Sequence, residues 1–394
     1  MRRVASTLLL IAIVAAGCSD AKAQKQRHLD VGDRYMGRGA YRPAIVEFRH
    51  ALVFESTDRR VLRRIGLAQH RLGQHRAALE SLLLVAESAE NDLALRLEIG
   101  RVQLALGRLG EAWNQARFVL DRDPSDLEAL ALVAAAATTA SQIEAARGSF
   151  AGAAPAVRER AAYHVALGNL YLRQRETSRA ERAFTEAIGK DSGSVEAHVA
   201  LARLYIGMGQ RARAEQVLHV AGRIEPAPPA ARLTVADACM LLARPDEAAR
   251  ILREISERTP DYLPAWHGLA ELAFGTRRYD ESVAALREIL AVDASDPHAR
   301  LLRGRIHMAR GETEAATREF EEVMRSEPEL ATPRYYLATA HIQAGQLGLA
   351  KRELAQAVSI APGFDQATVL LADLYVKTDA PRQAVTELEP LVAR

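Results

Sequence analysis

Residues 263–289 read LPAWHGLAELAFGTRRYDESVAALREI. Leu269 and Ala270 are followed by Ser282, Leu286 and Ile289, and spacings of three and four of this kind mark one face of a helix. Steps of 34 residues outward from Ala270 meet Gly32, Gly66, Gly100, Ala134, Gly168, Ala202, Ala236, Gly304, Ala338 and Ala372. The same step from Ser282 meets Ala44, Ala78, Ala112, Ala146, Ala180, Ala214, Ala248, Ala316, Ala350 and Ala384. The first column is always Gly or Ala, the second always Ala apart from Ser282, and no insertion shifts the phase from residue 25 onward. The column seven after the second is apolar throughout, from Ala51 and Val85 to Ala357 and Leu391. Small residues at two fixed places let two helices approach closely, so each unit predicts a helical hairpin.

The punctuation agrees. Gly39, Gly73, Gly107, Gly209, Gly311 and Gly345 fall where the first helix of a unit turns into the second. Pro124, Pro226, Pro260, Pro328 and Pro362 fall at the end of the second helix. Pro264, Pro297 and Pro333 suit a first helical turn, where the missing N–H costs nothing, and Pro390 falls inside a helix.

Trp266, Leu269, Ala270, Tyr279, Ser282, Leu286 and Ile289 resemble the Trp/Leu/Gly/Tyr–Ala–Phe–Ala–Pro pattern of the tetratricopeptide repeat, and the resemblance covers residues 25–394. It implies an all-α solenoid: eleven 34-residue hairpins in a right-handed superhelix with a concave inner groove. No hairpin buries its apolar stripe alone, so stacking supplies the core. Two places depart from the pattern. Gly148, Gly152 and Pro155 weaken the fourth unit and predict a soft point over 141–160. Pro226, Pro228 and Pro229 predict a second irregular joint near 224–230. The eleventh unit carries no polar capping helix, so its apolar end is expected to be covered by a partner, a second copy or a frayed terminus.

Composition narrows the function. Among 394 residues, 52 Lys+Arg balance 50 Asp+Glu, and the net charge of +2 gives no strong pull on nucleic acid. Aromatics at 5% are sparse for a base-stacking or sugar-binding surface. Two cysteines, Cys18 and Cys239, exclude a disulfide framework or a multi-cysteine zinc site.

The start reads MRRVASTLLLIAIVAAGCSDAKAQ. Arg2 and Arg3 precede a short apolar run, the pattern of a secretory signal and too short to span a bilayer. Val14-Ala-Ala-Gly-Cys18 resembles the lipobox of bacterial lipoproteins, with Ala15 where that family has Leu. The resemblance implies a signal peptide over 1–17, lipidation of Cys18 and a tether over 18–24. Ser19 follows the cysteine, which in proteobacterial lipoproteins implies the outer membrane, facing the periplasm.

No catalytic motif emerges. Gly189-Lys190-Asp191-Ser192 lacks a phosphate-cradling loop, Gly207-Met208-Gly209 reads as a helix end, and no HExxH occurs. His28, His50, His70 and His75 occupy different unit positions and read as solvated or capping residues. Trp113 and Trp266 read as packing, and Cys239 as a buried inert thiol. Neither enzyme activity nor a cofactor or metal is expected.

Tetratricopeptide proteins bind through first-helix side chains on the concave face. By that resemblance, the row four after the Gly/Ala column is Met36, His70, Leu104, Thr138, Leu172, Ile206, Met240, Phe274, Met308, Ile342 and Val376, nine of them apolar. Three methionines make such a floor adaptable to a helix or an extended peptide. The row one after the column is mixed and contains Arg101 and Arg203. Arg60, Arg63, Arg64 and Arg101 lie where the family's chaperone-tail binders clamp a carboxylate, but the asparagines of that clamp are absent. Residues 25–79 hold 12 Lys+Arg against 5 Asp+Glu, which suits anionic head groups or an acidic partner.

These readings predict a lipid-anchored periplasmic scaffold that binds protein or peptide partners, with no nucleic acid. Within the family such lipoproteins serve pilus assembly, exopolysaccharide export and exosortase-linked systems. The unit Tyr41-Arg-Pro-Ala44-Ile-Val-Glu-Phe48-Arg-His-Ala51-Leu52 looks like the first unit of the last two groups. A chaperone or pilotin for pilus or outer-membrane subunits, or a regulator of a cell-wall enzyme, are the alternatives.

Overall fold

The structure, a computed structural model, describes residues 21–392 apart from 88 and 90. The expected signal peptide and the lipidation site Cys18 lie outside the described residues. Among the described residues there is no strand.

Eleven helical pairs follow one another, and their bounds track the 34-residue ruler. They are α1 (21–37) with α2 (Tyr41–Phe54), α3 (Arg59–Arg71) with α4 (His75–Ala86), and α5 (Leu93–Ala105) with α6 (Leu109–Leu120). The fourth pair, α7 (Leu127–Ala136) and α8 (Ala140–Gly152), is followed by a four-residue helix, α9 (Pro155–Arg158). Next come α10 (Ala161–Arg173) with α11 (Thr177–Lys190), α12 (Val195–Gly207) with α13 (Arg211–Ala221), and α14 (Pro229–Leu241) with α15 (Pro245–Arg258). The rest are α16 (Leu263–Gly275) with α17 (Tyr279–Val292), α18 (Pro297–Ala309) with α19 (Thr313–Ser326), α20 (Ala331–Gln343) with α21 (Leu347–Ile360), and α22 (Asp365–Lys377) with α23 (Pro381–Val392). Residues 21–24, expected as the end of a tether, instead form the first turn of α1. Ala21, Lys22, Ala23 and Gln24 are all good helix formers. No described helix is long and apolar enough to cross a membrane.

Local chemistry sets the helix ends. Asp58, Asp92, Asp126, Ser194 and Asp296 stand one period or a multiple of it apart, and each accepts a backbone N–H in the first turn of its helix. Such caps are worth about 1 kcal/mol each. The expected turn glycines all lie in the left-handed region, with φ from 71° to 77°. At the equivalent places in the fifth, seventh, eighth and eleventh pairs the chain forces Arg175, Ala243, Arg277 and Asp379 into the same conformation.

The core is a column of matched sizes. A methyl group added to Gly32, Gly168 or Gly304 would stand 2.4 Å from the ring of Phe48, Phe184 or Phe320 respectively. Where the first column holds Ala, as at Ala202, Ala236, Ala270 and Ala338, the facing residue is Leu218, Leu252, Leu286 or Leu354. The three phenylalanines are completely buried.

A polar stitch joins the two helices of many hairpins. It links the residue four before the first column to those three and six after the second. Arg96 donates to Gln115 at 3.1 Å and its guanidinium lies 3.8 Å from the centre of the Phe118 ring. Arg300 donates to Glu319 at 3.2 Å, and Arg334 donates to Glu353 at 2.8 Å and to Gln356. Arg232 is ion-paired with Glu254, and His164 Nδ1 lies 3.6 Å from Glu186.

The chain divides into two units, one ending at Ala265 and the other starting at Trp266. Within the first unit the chain returns on itself. Leu263 N–H donates to the carbonyl of Arg38 at 2.9 Å, Arg38 pairs with Asp261 at 2.9 Å, and Gly39 lies against Pro264, which a methyl group there would approach to 2.6 Å. The long loop between α13 and α14 falls in the stretch expected as a joint. In the second unit Pro390 lies inside α23, as expected, and Val385 and Val392 are exposed.

Candidate interaction groove

The first helix of each pair presents the predicted row one turn beyond its small-residue column. None of the eleven side chains is buried. Leu172, Met240 and Val376 are exposed together with Thr138, and Met36, His70, Leu104, Ile206, Phe274, Met308 and Ile342 are half-buried. The helices supply this exposure because the column behind the row, from Gly66 to Ala338, is consumed by packing. In the first unit the row therefore offers an accessible apolar surface of Met36, Leu104, Leu172, Ile206 and Met240.

The arginines expected beside that row are engaged with acids of neighbouring repeats. Arg63 donates twice to Glu98, at 2.8 Å each, and once to Asp92 at 3.0 Å. Those hydrogen bonds, led by Glu98, hold its guanidinium above the ordinary arginine range. Arg64 donates twice to Asp33, at 2.8 and 3.1 Å, and Arg101 to Glu128 at 2.6 Å. Arg60 stays 80% exposed beside Asp58. Arg203 is exposed and faces Asp237 of the next pair. Arg63, Arg64 and Arg101 are thus held in inter-repeat ion pairs more than in an open carboxylate clamp, because helix stacking brings each of the three against an acid about 30 residues away.

The second unit carries a different surface, which sequence reasoning did not single out. On α16, α18 and α20, His298 Nε2 lies 3.0 Å from Glu271, and Arg305 Nη1 lies 4.0 Å from the same carboxylate. The His298 bond holds the Glu271 carboxyl below its usual range, and the same bond raises the imidazole of His298. The Arg305 guanidinium sits 4.4 Å from the centre of the Phe274 ring and 5.4 Å from that of Tyr336, and His267 is ring-to-edge with His298 at 5.2 Å. Phe274 was expected from its column. Its partners were legible only as members of neighbouring columns on the same helical face.

The histidines depart from expectation. His70 and His75 bring their Nδ1 atoms to 3.1 Å, and burial first, then the charge of His75, pushes the His70 imidazole down. His28 and His50 meet with ring centres 5.2 Å apart, beside Glu47. Their unit positions differ because they sit on opposite helices of one hairpin, where different columns face each other. Cys239 is buried as expected, and burial pushes its thiol up to about 11, which leaves no thiolate for chemistry at neutral pH.

A family model of the tetratricopeptide repeat matches residues 171–236, 217–273, 241–306, 273–342 and 341–394, which together run through more than half of the chain. No curated protein matches the chain. Among solved structures it is similar to yeast Tom70, at 14% identity over 94% of this chain and 91% of that one, with a TM-score of 0.47. It is similar to the APC/C hetero-tetramer Cut9–Hcn1 at 16% identity, over 87% and 74%, with a TM-score of 0.42. It is also similar to a tetratricopeptide repeat protein from Parabacteroides merdae at 18% identity, over 72% and 98%, with a TM-score of 0.38.

Proposed function

The chain belongs to the tetratricopeptide-repeat family, and from that premise we propose that it is a scaffold of the bacterial cell envelope, anchored by lipid on Cys18 and gripping envelope partners through its first-helix row. Repeats of this family bind protein or peptide partners, and that coarse role as an interaction scaffold needs no catalytic group. The observation that carries the reading is the row itself: eleven side chains at one register, none buried and nine apolar. An apolar, methionine-bearing floor suits an amphipathic helix or an extended segment whose sequence is loosely specified.

The finer assignment rests on the N-terminal sequence. A secretory signal closed by Ala16-Gly17-Cys18 and followed by Ser19 supports an outer-membrane anchor facing the periplasm. The opening hairpin's likeness to export-associated repeats supports a place in assembling a secretion or exopolysaccharide-export system. A channel of that kind needs a protein that holds its parts together beside the membrane, and a lipid tether with a long row of contacts supplies both.

The test uses the full chain in detergent extracts of its native cells. An outer-membrane barrel is expected to co-purify with it, and a Leu172→Glu/Met240→Glu variant is expected to lose the barrel while keeping its helical spectrum. Both side chains are exposed, so the charges meet solvent in the folded chain. A variant that retains the partner at full yield overturns the groove. Escort of a single subunit without a channel points instead to the chaperone reading. Cys18→Ser is expected to move the chain from the membrane to the soluble fraction, and an unchanged distribution overturns the anchor.

A further inference from the structure

We propose that the first hairpin binds a zinc-type divalent transition-metal ion between His28, Glu47 and His50. Their candidate ligand atoms lie within 4.8 Å of one another, and His28 Nδ1 is already 2.7 Å from Glu47 Oε2. Two imidazole nitrogens and one carboxylate oxygen are a donor set for zinc, nickel, copper or cobalt, and a poor one for calcium or magnesium, which take oxygen. A tetrahedral ion with bonds of about 2.0–2.1 Å holds its ligand atoms roughly 3.4 Å apart. The widest pair needs to close by at most about 1.4 Å and the His28–Glu47 pair to open by about 0.7 Å, and His50, the exposed member, is the one with room to move.

The scaffold favours this. Glu47 and His50 are three residues apart on α2 and so project from one face, while His28 reaches them from α1. All three ligands sit on helices, His28 and Glu47 are half-buried, and Phe54 stacks on the His28 ring at 6.2 Å as an apolar wall. Three protein ligands leave a fourth place for water.

The other hairpins supply the comparison. His28, Glu47 and His50 occupy the three corners of the polar stitch. At those corners Arg96, Arg300 and Arg334 bring a permanent positive charge between the helices and bind a neighbouring acceptor. In the first hairpin the corner that carries this charge elsewhere is an imidazole, a second imidazole stands at the far corner, and the carboxylate remains. A bound divalent ion there does what arginine does elsewhere. The fifth hairpin has His164 and Glu186 at two corners but Ala183 at the third, which leaves it one ligand short.

The experiment titrates ZnCl2, and separately CoCl2, into the metal-stripped full chain, reading heat and the cobalt d–d spectrum. One ion per chain is expected at this site, with tetrahedral cobalt bands and nitrogen ligation. His50→Ala and Glu47→Gln are each expected to weaken that ion by at least about tenfold, with an unchanged helical spectrum. His164→Ala and His75→Ala are expected to leave it unaltered. Loss of the ion in either control but not in His50→Ala assigns it elsewhere and overturns the proposal. So does an absence of saturable binding at millimolar zinc. Should His50→Ala misfold, the cobalt spectrum of Glu47→Gln decides, since retention of the native bands there also overturns it.

Discussion

The fourth and fifth hairpins adjoin in sequence and share one ruler, yet they close differently. In the fifth, Gly168 lets α10 come so near α11 that an added methyl would stand 2.4 Å from the Phe184 ring. Arg175 takes the left-handed turn, and α11 runs for 14 residues. In the fourth, the first-column residue is Ala134 but the facing residue is still a phenylalanine, Phe150. Three hairpins pair Gly with Phe, at Gly32, Gly168 and Gly304, and others pair Ala with Leu, as at Ala202 and Leu218, but this one has the bulky member of both choices. Its chain takes another route. Ser141, at the turn position, lies inside α8, a Thr139–Gln142 capping box starts that helix, and Phe150 packs against Tyr163, whose hydroxyl donates to the Phe150 carbonyl at 2.9 Å. Of α8 only Ala146 and Phe150 are buried, and a cavity of about 370 Å³ opens along it, lined by Arg117, Leu120, Gly148 and Gly152 among others. The fourth hairpin thus joins an Ala–Phe pair to a turn without glycine, and its second helix is held differently from α11.

The largest test of this contrast deletes the ring. Phe184→Ala is expected to cost about 3–5 kcal/mol, the range for a completely buried ring whose site cannot collapse. Phe150→Ala is expected to cost less, because α8 borders an existing hollow and can move into the space. Hydrogen exchange reads the two locally, which matters in a repeat array where opening need not be global. The amides of α10 and α11 are expected to lose most of their protection in the first variant, and those of α7 and α8 a smaller part in the second. Equal losses would sink the idea that the fourth hairpin is the adaptable one.

Period carried most of the fold. Columns through Gly32 and Ala44 located every hairpin, and the six turn glycines were visible because only a left-handed turn calls for glycine at that spacing. Arg175, Ala243, Arg277 and Asp379 adopt the same turn without a residue that announces it. The return of the chain at Arg38 and Asp261 joins residues more than 220 positions apart, and no repeat column encodes a contact of that reach. The candidate groove was legible as a row, since burial behind it follows from the small residues. What was not legible was how the charges beside it are spent. Arg63, Arg64 and Arg101 read as lying in the region of a carboxylate clamp, and stacking places Glu98, Asp33 and Glu128 against them. The His28–His50 meeting stayed hidden for the same reason, because it depends on which columns of two helices face each other.

A middle-sized effect tests the size match directly. Gly168→Ala alone is expected to cost about 1–3 kcal/mol through overpacking against Phe184. Adding Phe184→Leu recreates the pairing that Ala202 and Leu218 make in the sixth hairpin, and is expected to recover most of the loss although it removes apolar bulk. The two substitutions touch, so their effects should not add, and the coupling measured by the double-mutant cycle is the size match itself. Purely additive losses in urea unfolding would show that α10 does not depend on Gly168 for its approach.

The smallest effect has the opposite sign and separates backbone from packing. Arg175 sits at φ 59°, where an L side chain is disfavoured and glycine is not. Arg175→Gly is expected to stabilise the fifth hairpin by a few tenths to about 1 kcal/mol, the relief of the strained turn offset in part by the greater freedom of glycine in the unfolded chain. Ser141→Gly, at the same place on the ruler, is expected to destabilise by about 0.5–1 kcal/mol, because there the residue lies inside the first turn of α8 and has no left-handed turn to relieve. Opposite signs at positions 34 residues apart would establish that the fourth hairpin has left the family's turn altogether. A gain at both would mean that Ser141 visits the left-handed conformation in solution, and the two hairpins would then differ in packing alone.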